Sequence, residues 1–157
     1  MSPSRLSAFD KAGELLARRP YFRAELAARL ARADYDGEEI AAAMEKLVRL
    51  GYLDDEALAT AEAARLRDRK GLGRARIAAD LSRRGAPRSI AAEVATESPD
   101  DELTRARDEA ARWSAKTRNP QPAALARYLE RKGFSARSIV AVLEDLGEGE
   151  VGELEES

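Results

Sequence analysis

Apolar positions along this chain recur as pairs four residues apart, each followed by a turn and a further apolar stretch. The pairs are Leu26 and Leu30, Ile77 and Leu81, and Leu125 and Leu129, separated by 51 and 48 residues. A spacing of four keeps both side chains on one face of a helix. A repeat of this length marks stacked supersecondary units. The later apolar stretches begin near Ile40, Ile90 and Ile139, so each unit reads as three helices.

In the first unit a helix around Phe9 to Leu16 leads through Pro20 to the Leu26 and Leu30 helix. Asp36 is placed to cap the third helix, with Glu39 at the N3 position of a capping box. That helix carries Ile40, Met44, Leu47 and Val48, and Gly51 stops it. Asp54 or Asp55 caps the next helix, which holds Leu58 and Ala61, and Gly71 and Gly73 break it. Gly85 ends the Ile77 and Leu81 helix, and Pro87 suits the first turn of the helix with Ile90 and Val94. Ser98, Pro99 and Asp100 form a joint before Leu103, Ala106, Ala110 and Trp113. Asn119, Pro120 and Pro122 interrupt that helix. Gly133 closes the Leu125 and Leu129 helix, and Ser135 caps the last one, with Ile139, Val142, Leu143 and Leu146.

The expected architecture is all-α, with three tandem three-helix repeats in an elongated, curved array. The repeats span 6–50, 51–98 and 99–146, and an acidic tail, 147–157, is expected to be disordered. Composition supports this picture. Charged residues are 36% of the 157, apolar residues 44% and aromatics 5%, which suits a thin core under a large solvated surface. Helix formers dominate and strand formers are sparse.

The chain has no cysteine and no histidine. Disulfides and thiolate chemistry are excluded, and the commonest general base and metal ligand are missing. No cofactor and no metal is expected, and the chain reads as non-enzymatic. The apolar runs fall short of the roughly 20 residues that span a bilayer, and the amino terminus lacks a signal-peptide core. A cytoplasmic monomer with no membrane partner is the expectation.

Net charge is −2, yet its distribution is uneven. Nine basic and two acidic residues lie between Arg65 and Arg88, and nine basic and three acidic between Leu103 and Leu143. Acid collects in 51–64, 89–102 and 144–157. Basic islands thus alternate with acidic joints.

The run Leu47-Val48-Arg49-Leu50-Gly51-Tyr52-Leu53-Asp54-Asp55 resembles the most recognisable segment of the RecX family. Similar matches are Arg19-Pro20-Tyr21 before Ala24-Glu25-Leu26, Lys70-Gly71-Leu72-Gly73 before Ile77, and Arg83-Arg84-Gly85. The third unit adds Tyr128-Leu129 and Arg131-Lys132-Gly133-Phe134-Ser135. The resemblance covers about Ala12 to Leu146. It implies a crescent of three-helix repeats that binds the helical groove of RecA filaments on DNA and limits their growth, lowering recombinase, ATPase and co-protease activities. Two departures stand out. Phe22 occupies a place where the family often has a serine suited to capping, and the acidic total charge predicts only weak direct affinity for single- or double-stranded DNA.

Arg32, Arg83 and Arg131 each lie two positions past the second apolar residue of a pair, about 200° around the helix from it. They point away from the core. Arg76 and Arg127 share that outward sector, where the first unit has Glu25. With Arg69, Lys70 and Arg74 at the glycine turn, and Arg84 and Lys132 beside the arginines, they form a candidate ridge for phosphates or an acidic filament surface. Ordinary solvated helix faces are the bland alternative.

The glycines of Lys70 to Arg74 lack the following Lys-Ser/Thr and the preceding strand of a nucleotide loop. A flexible turn explains them better. Asp54, Asp55 and Glu56 suit helix capping better than a hard cation. Tyr52 and Leu53 are expected to pack between the first two units, and Tyr128, Phe134 and Trp113 to fill the third. A rival function is a stand-alone DNA-binding module of helix-turn-helix type, although no unit shows a base-reading residue set. A scaffold without nucleic acid is a third possibility.

Overall fold

The computed structural model describes residues 5–155. Nine helices, and no strand, occur among the described residues: α1 (Ala8–Leu16), α2 (Arg23–Arg32), α3 (Gly37–Arg49), α4 (Asp55–Asp68), α5 (Arg74–Arg84), α6 (Arg88–Ala95), α7 (Pro99–Lys116), α8 (Pro122–Lys132) and α9 (Ala136–Glu155). Among these residues, no helix is long and apolar enough to cross a membrane.

Each successive triplet closes its own core. The apolar pairs on the middle helices are the anchors: Leu26, Leu30, Ile77, Leu81, Leu125 and Leu129 are all at most 1% exposed. Such side chains contribute roughly 1.5–3 kcal/mol each. Leu15, Met44, Leu47 and Leu53 join the first pair, Ala59, Ala63, Leu66 and Ala91 the second, and Ala106, Ala110, Phe134 and Val142 the third. Extensive helix-to-helix packing stays inside α1–α3, α4–α6 and α7–α9. The whole chain exposes 10354 Å², well above the roughly 7,800 Å² of a compact monomer of this mass. Extensive packing confined to the triplets, under a large exposed surface, fits an array of small units better than one globule.

Local chemistry accounts for the boundaries. Ser7, Asp54 and Ser98 accept hydrogen bonds from the amides of Asp10, Ala57 and Asp101 at the starts of α1, α4 and α7. Ser138 N donates to Ser135 Oγ at 3.2 Å, which caps α9. Gly51, just past α3, takes φ +80°, and Tyr52 N donates back to Leu47 O.

Some expected details differ. Glu39 makes no capping box with Asp36; its carboxylate accepts the Ala8 amide at 2.9 Å and so caps α1 instead. Pro87 stands at the N-cap of α6 rather than inside its first turn. The last helix does not stop near Leu146, because α9 runs on to Glu155 where a disordered tail was expected. Residues 156–157 of that tail lie outside the described residues.

Candidate functional site

Two joints connect the units, and both use the same places in the repeat. The end of one unit's middle helix meets the start of the preceding unit's middle helix. At the first joint Gly85, the C-cap of α5, lies against the Glu25 backbone at the third residue of α2. At the second, Gly133, the C-cap of α8, lies against Arg76 at the third residue of α5.

The first joint is closed by side chains. Phe22 is the N-cap of α2, with extended φ −73° and ψ 151°. Extended backbone sends neighbouring side chains to opposite sides, so Tyr21 joins the first core while Phe22, fully buried, enters the second. Phe22 has no side-chain oxygen, and the helix start is satisfied otherwise: its own amide donates to Glu25 Oε1 at 3.2 Å. The Arg23 amide donates to Asp55 Oδ1, across the joint, at 2.9 Å. Arg84 then ties the parts together. Its guanidinium donates to Pro20 O (2.9 Å), pairs with Glu25 (3.4 Å) and Glu62 (3.2 Å), and stands 5.2 Å from the Phe22 ring centroid.

The second joint is closed by backbone. Gly73 replaces Phe22 as N-cap, and its amide donates to Lys132 O at 2.7 Å, while Ala75 N donates to Gly133 O at 3.2 Å. A Cβ on Gly73 would strike the backbone of Gly133 and Phe134, and one on Gly133, at φ +95°, would strike Arg76. These glycines permit direct contact between the helix ends. Lys132 Nζ donates to Lys70 O at 2.6 Å, and Arg76 Nη1 to Arg131 O at 3.0 Å. From α7, Arg105 Nη1 donates to Leu72 O (2.8 Å) and its Nε to Glu97 (2.9 Å).

Glu109 sits inside this joint beside Gly71, with its side chain 8% exposed. It accepts from Tyr128 Oη and Arg112 Nη2, both at 2.6 Å, and faces Lys132 Nζ at 3.3 Å. Burial alone pushes its pKa up, but the hydrogen bonds from Tyr128 and Arg112 and the charge of Lys132 outweigh burial and hold the carboxyl below its usual range. The Tyr128 phenol is pushed up to about 12 by burial and by its bond to that carboxylate. Its ring stacks on Trp113 at 5.8 Å.

The ten basic candidates therefore divide. Arg84 and Lys132 are joint fasteners, with side chains only 26% and 23% exposed, rather than parts of an outward ridge. Arg76 points partly outward, yet it is bonded to Asp80 as well as Arg131 O. Arg83 is exposed and shares Asp80. Arg32, Arg69, Lys70, Arg74, Arg127 and Arg131 are exposed, with no ion pair among the described residues. The Lys70 to Arg74 turn offers no free amides at Gly73 or Ala75 for a phosphate, because the joint consumes them.

Tyr52 is 64% exposed and does not pack between units; it edges a groove of about 370 Å³ with Phe9, Gly13, Leu16, Ala17 and Leu47. Leu53 is buried, within the first core. Asp54 caps α4 as expected, whereas Asp55 caps α2 of the neighbouring unit. Among the described residues no group of three or more acidic side chains is placed to hold a metal.

The family model described as RecX, first three-helix domain, matches residues 8–47. The regulatory protein RecX of Chlorobaculum tepidum is 34% identical over 134 residues, covering 85% of this chain and 84% of the relative. The chain belongs to the RecX family of regulatory proteins. RecX of Halorhodospira halophila is 36% identical over 135 residues, covering 84% and 83%. The crystal structure of RecX from Lactobacillus salivarius shares the fold with a TM-score of 0.69 at 22% identity, over 89% of this chain and 94% of that one. Another crystal structure of a regulatory protein RecX gives 0.76 at 20% identity, over 88% and 71%. As a RecX-family chain, this molecule was recognisable from its glycine turns. Glu62, Glu97, Arg105 and Glu109, which hold the joints, carried no signal beyond ordinary helix charge.

Proposed function

We propose that this RecX-family chain regulates by occupancy: it lies in the groove of a RecA filament on DNA, spans neighbouring subunits, and obstructs their addition or movement. Recombinase ATP hydrolysis, strand exchange and co-protease activity fall as a result. The single observation that carries this reading is a family-typical chain built as three units in series, whose middle helices carry Arg32, Arg74, Arg127 and Arg131 without ion pairs among the described residues. Tandem units present an extended surface suited to a polymer. On this reading the chain does no chemistry of its own.

The test is ATP hydrolysis by recombinase on single-stranded DNA, titrated with the chain. Hydrolysis should fall as the chain saturates the filament. Arg32→Ala, Arg83→Ala, Arg127→Ala and Arg131→Ala together should weaken the effect and flatten its dependence on salt. An unchanged rate at saturating chain defeats the proposal. Sequence-selective binding of naked DNA, with no effect on the recombinase, would establish the helix-turn-helix rival instead.

A further inference from the structure

The first unit has a groove that the repeat itself does not require. Leu15 and Leu66 each stand eleven positions before the first member of their apolar pair, Leu26 and Ile77, which sets α1 and α4 in register. Where α4 carries Ala64, Arg67 and Asp68, α1 carries Gly13, Leu16 and Ala17. In the second unit Arg67 donates to Val94 O at 3.0 Å, and the hollow beside it is lined by polar side chains, among them Thr96, Glu97 and Arg105. In the first unit the same face is apolar and open. Gly13 and Ala17 floor the groove of about 370 Å³, and Phe9, Leu16, Leu47 and Tyr52 wall it.

Gly13 is the residue that the fold leaves unexplained. It lies inside α1, it is exposed, and a Cβ there would meet nothing within 4 Å. Glycine inside a helix costs stability relative to alanine, and no positive φ or close neighbour within the molecule offsets that cost. What the missing side chain provides is room for another backbone to come close. The walls are ready to grip it. Tyr52 is 64% exposed, and Leu50, 54% exposed, follows one turn after Lys46, whose ammonium lies 4.2 Å from the Phe9 ring.

The edges select the occupant. Asp10 and Glu14, both exposed, lie roughly 75° and 115° around α1 from the middle of the Phe9, Gly13, Leu16 and Ala17 face. That edge is acidic, and Lys46 makes the opposite edge basic. A second copy of α1 fits poorly. Packed antiparallel about a two-fold axis, it sets Asp10 and Glu14 against themselves; packed parallel, it lays Gly13 on Gly13 and leaves the hollow empty. The complement is a helix of a different protein, with a bulky apolar residue over Gly13, a cation beside Asp10 and Glu14, and a carboxylate beside Lys46.

We infer that this groove is the docking site for one amphipathic helix of a recombinase subunit. The inference rests on the filament reading and adds to it a point of protein contact in the first unit, apart from the cations of the middle helices.

The experiment uses the full chain and recombinase assembled on single-stranded DNA, with affinity read by co-sedimentation at two salt concentrations. Gly13→Gln and Tyr52→Ser should each weaken binding by roughly tenfold or more, and by the same factor at both concentrations, because apolar contact is not screened. Gly13→Ala should raise the urea midpoint of the free chain, since nothing stands in the way of its methyl group. The chain has no cysteine, so Leu50→Cys supplies a single thiol for a benzophenone label, which should cross-link to one helical segment of recombinase.

Undiminished binding by both groove variants, cross-links to DNA, or a lowered midpoint for Gly13→Ala would overturn the inference. So would a free chain that sediments as a dimer and that Gly13→Gln returns to a monomer, in favour of a second copy. The filament reading is judged separately. It stands if the wild-type chain inhibits ATP hydrolysis, whatever the groove variants do; a wild-type chain that neither binds nor inhibits recombinase removes it and the groove's occupant together.

Discussion

Single residues decide whether the units meet correctly. Gly133 is in the left-handed region and in contact with Arg76, so Gly133→Ala should cost more than the roughly 1 kcal/mol of the conformational preference alone, read as a lower urea midpoint. Glu109 is the charge centre of the same joint. Its folded-state pKa lies below the unfolded value, so folding favours the ionised form. Its contribution is complete above the usual carboxylate range and is lost as pH falls through the depressed value; acid should loosen this joint. Tyr128 runs the other way: the protonated phenol is favoured, and its contribution fades as pH rises from about 10 towards about 12. Glu109→Gln should bring that phenol back towards the ordinary value in an ultraviolet titration of tyrosinate. The variant should also cost somewhat less than the roughly 3–5 kcal/mol of breaking a fully buried pair, because Arg112 remains 59% exposed. A phenol still titrating last would disprove the coupling. None of this could be read from sequence, because Glu109 and Lys132 look like any pair of helix-surface charges.

At the level of elements, apolar spacing was a good guide because it is local. Ile77 and Leu81 report on one face of one helix, and burial followed. What a helical wheel cannot show is the next unit, so Arg84 and Lys132 read as outward although they turn towards a neighbour. Asp54 and Ser135 cap their helices as expected, but two other caps failed for the same reason. Glu39 and Asp55 lie where their own helices could use them, yet they serve α1 and α2. Asp55→Ala should therefore destabilise α2 by about 1 kcal/mol, raising hydrogen exchange at Arg23, in the first unit; exchange altered only within α4 would contradict this. Phe22→Ala, emptying a side chain from the second core, should cost about 3–5 kcal/mol in urea denaturation. Its effect should reach Ala59, Ala63 and Ile77 as well as α2. The missing serine at Phe22 is thus no defect in capping, since the position is used for packing across units.

At the scale of the whole molecule, three closed cores are linked by mostly polar contacts, with Phe22 the large apolar exception. Cooperativity should be stronger within units than between them. Hydrogen exchange should resolve at least two protection classes that follow the triplets, with α7–α9 separating from the rest as pH is lowered. One uniform opening free energy across α1–α9 would refute this. The repeat itself was legible from the 51- and 48-residue intervals; how the units are fastened was not, since Gly73 and Lys132 bond through main-chain atoms that every residue possesses.

The middle helices α8, α5 and α2 follow one another head to tail, each carboxyl end meeting the amino end of the next. The molecule consequently has a front and a back. Laid along any track that also has a direction, it presents the same groups in one heading only, and turning it end for end produces a different fit.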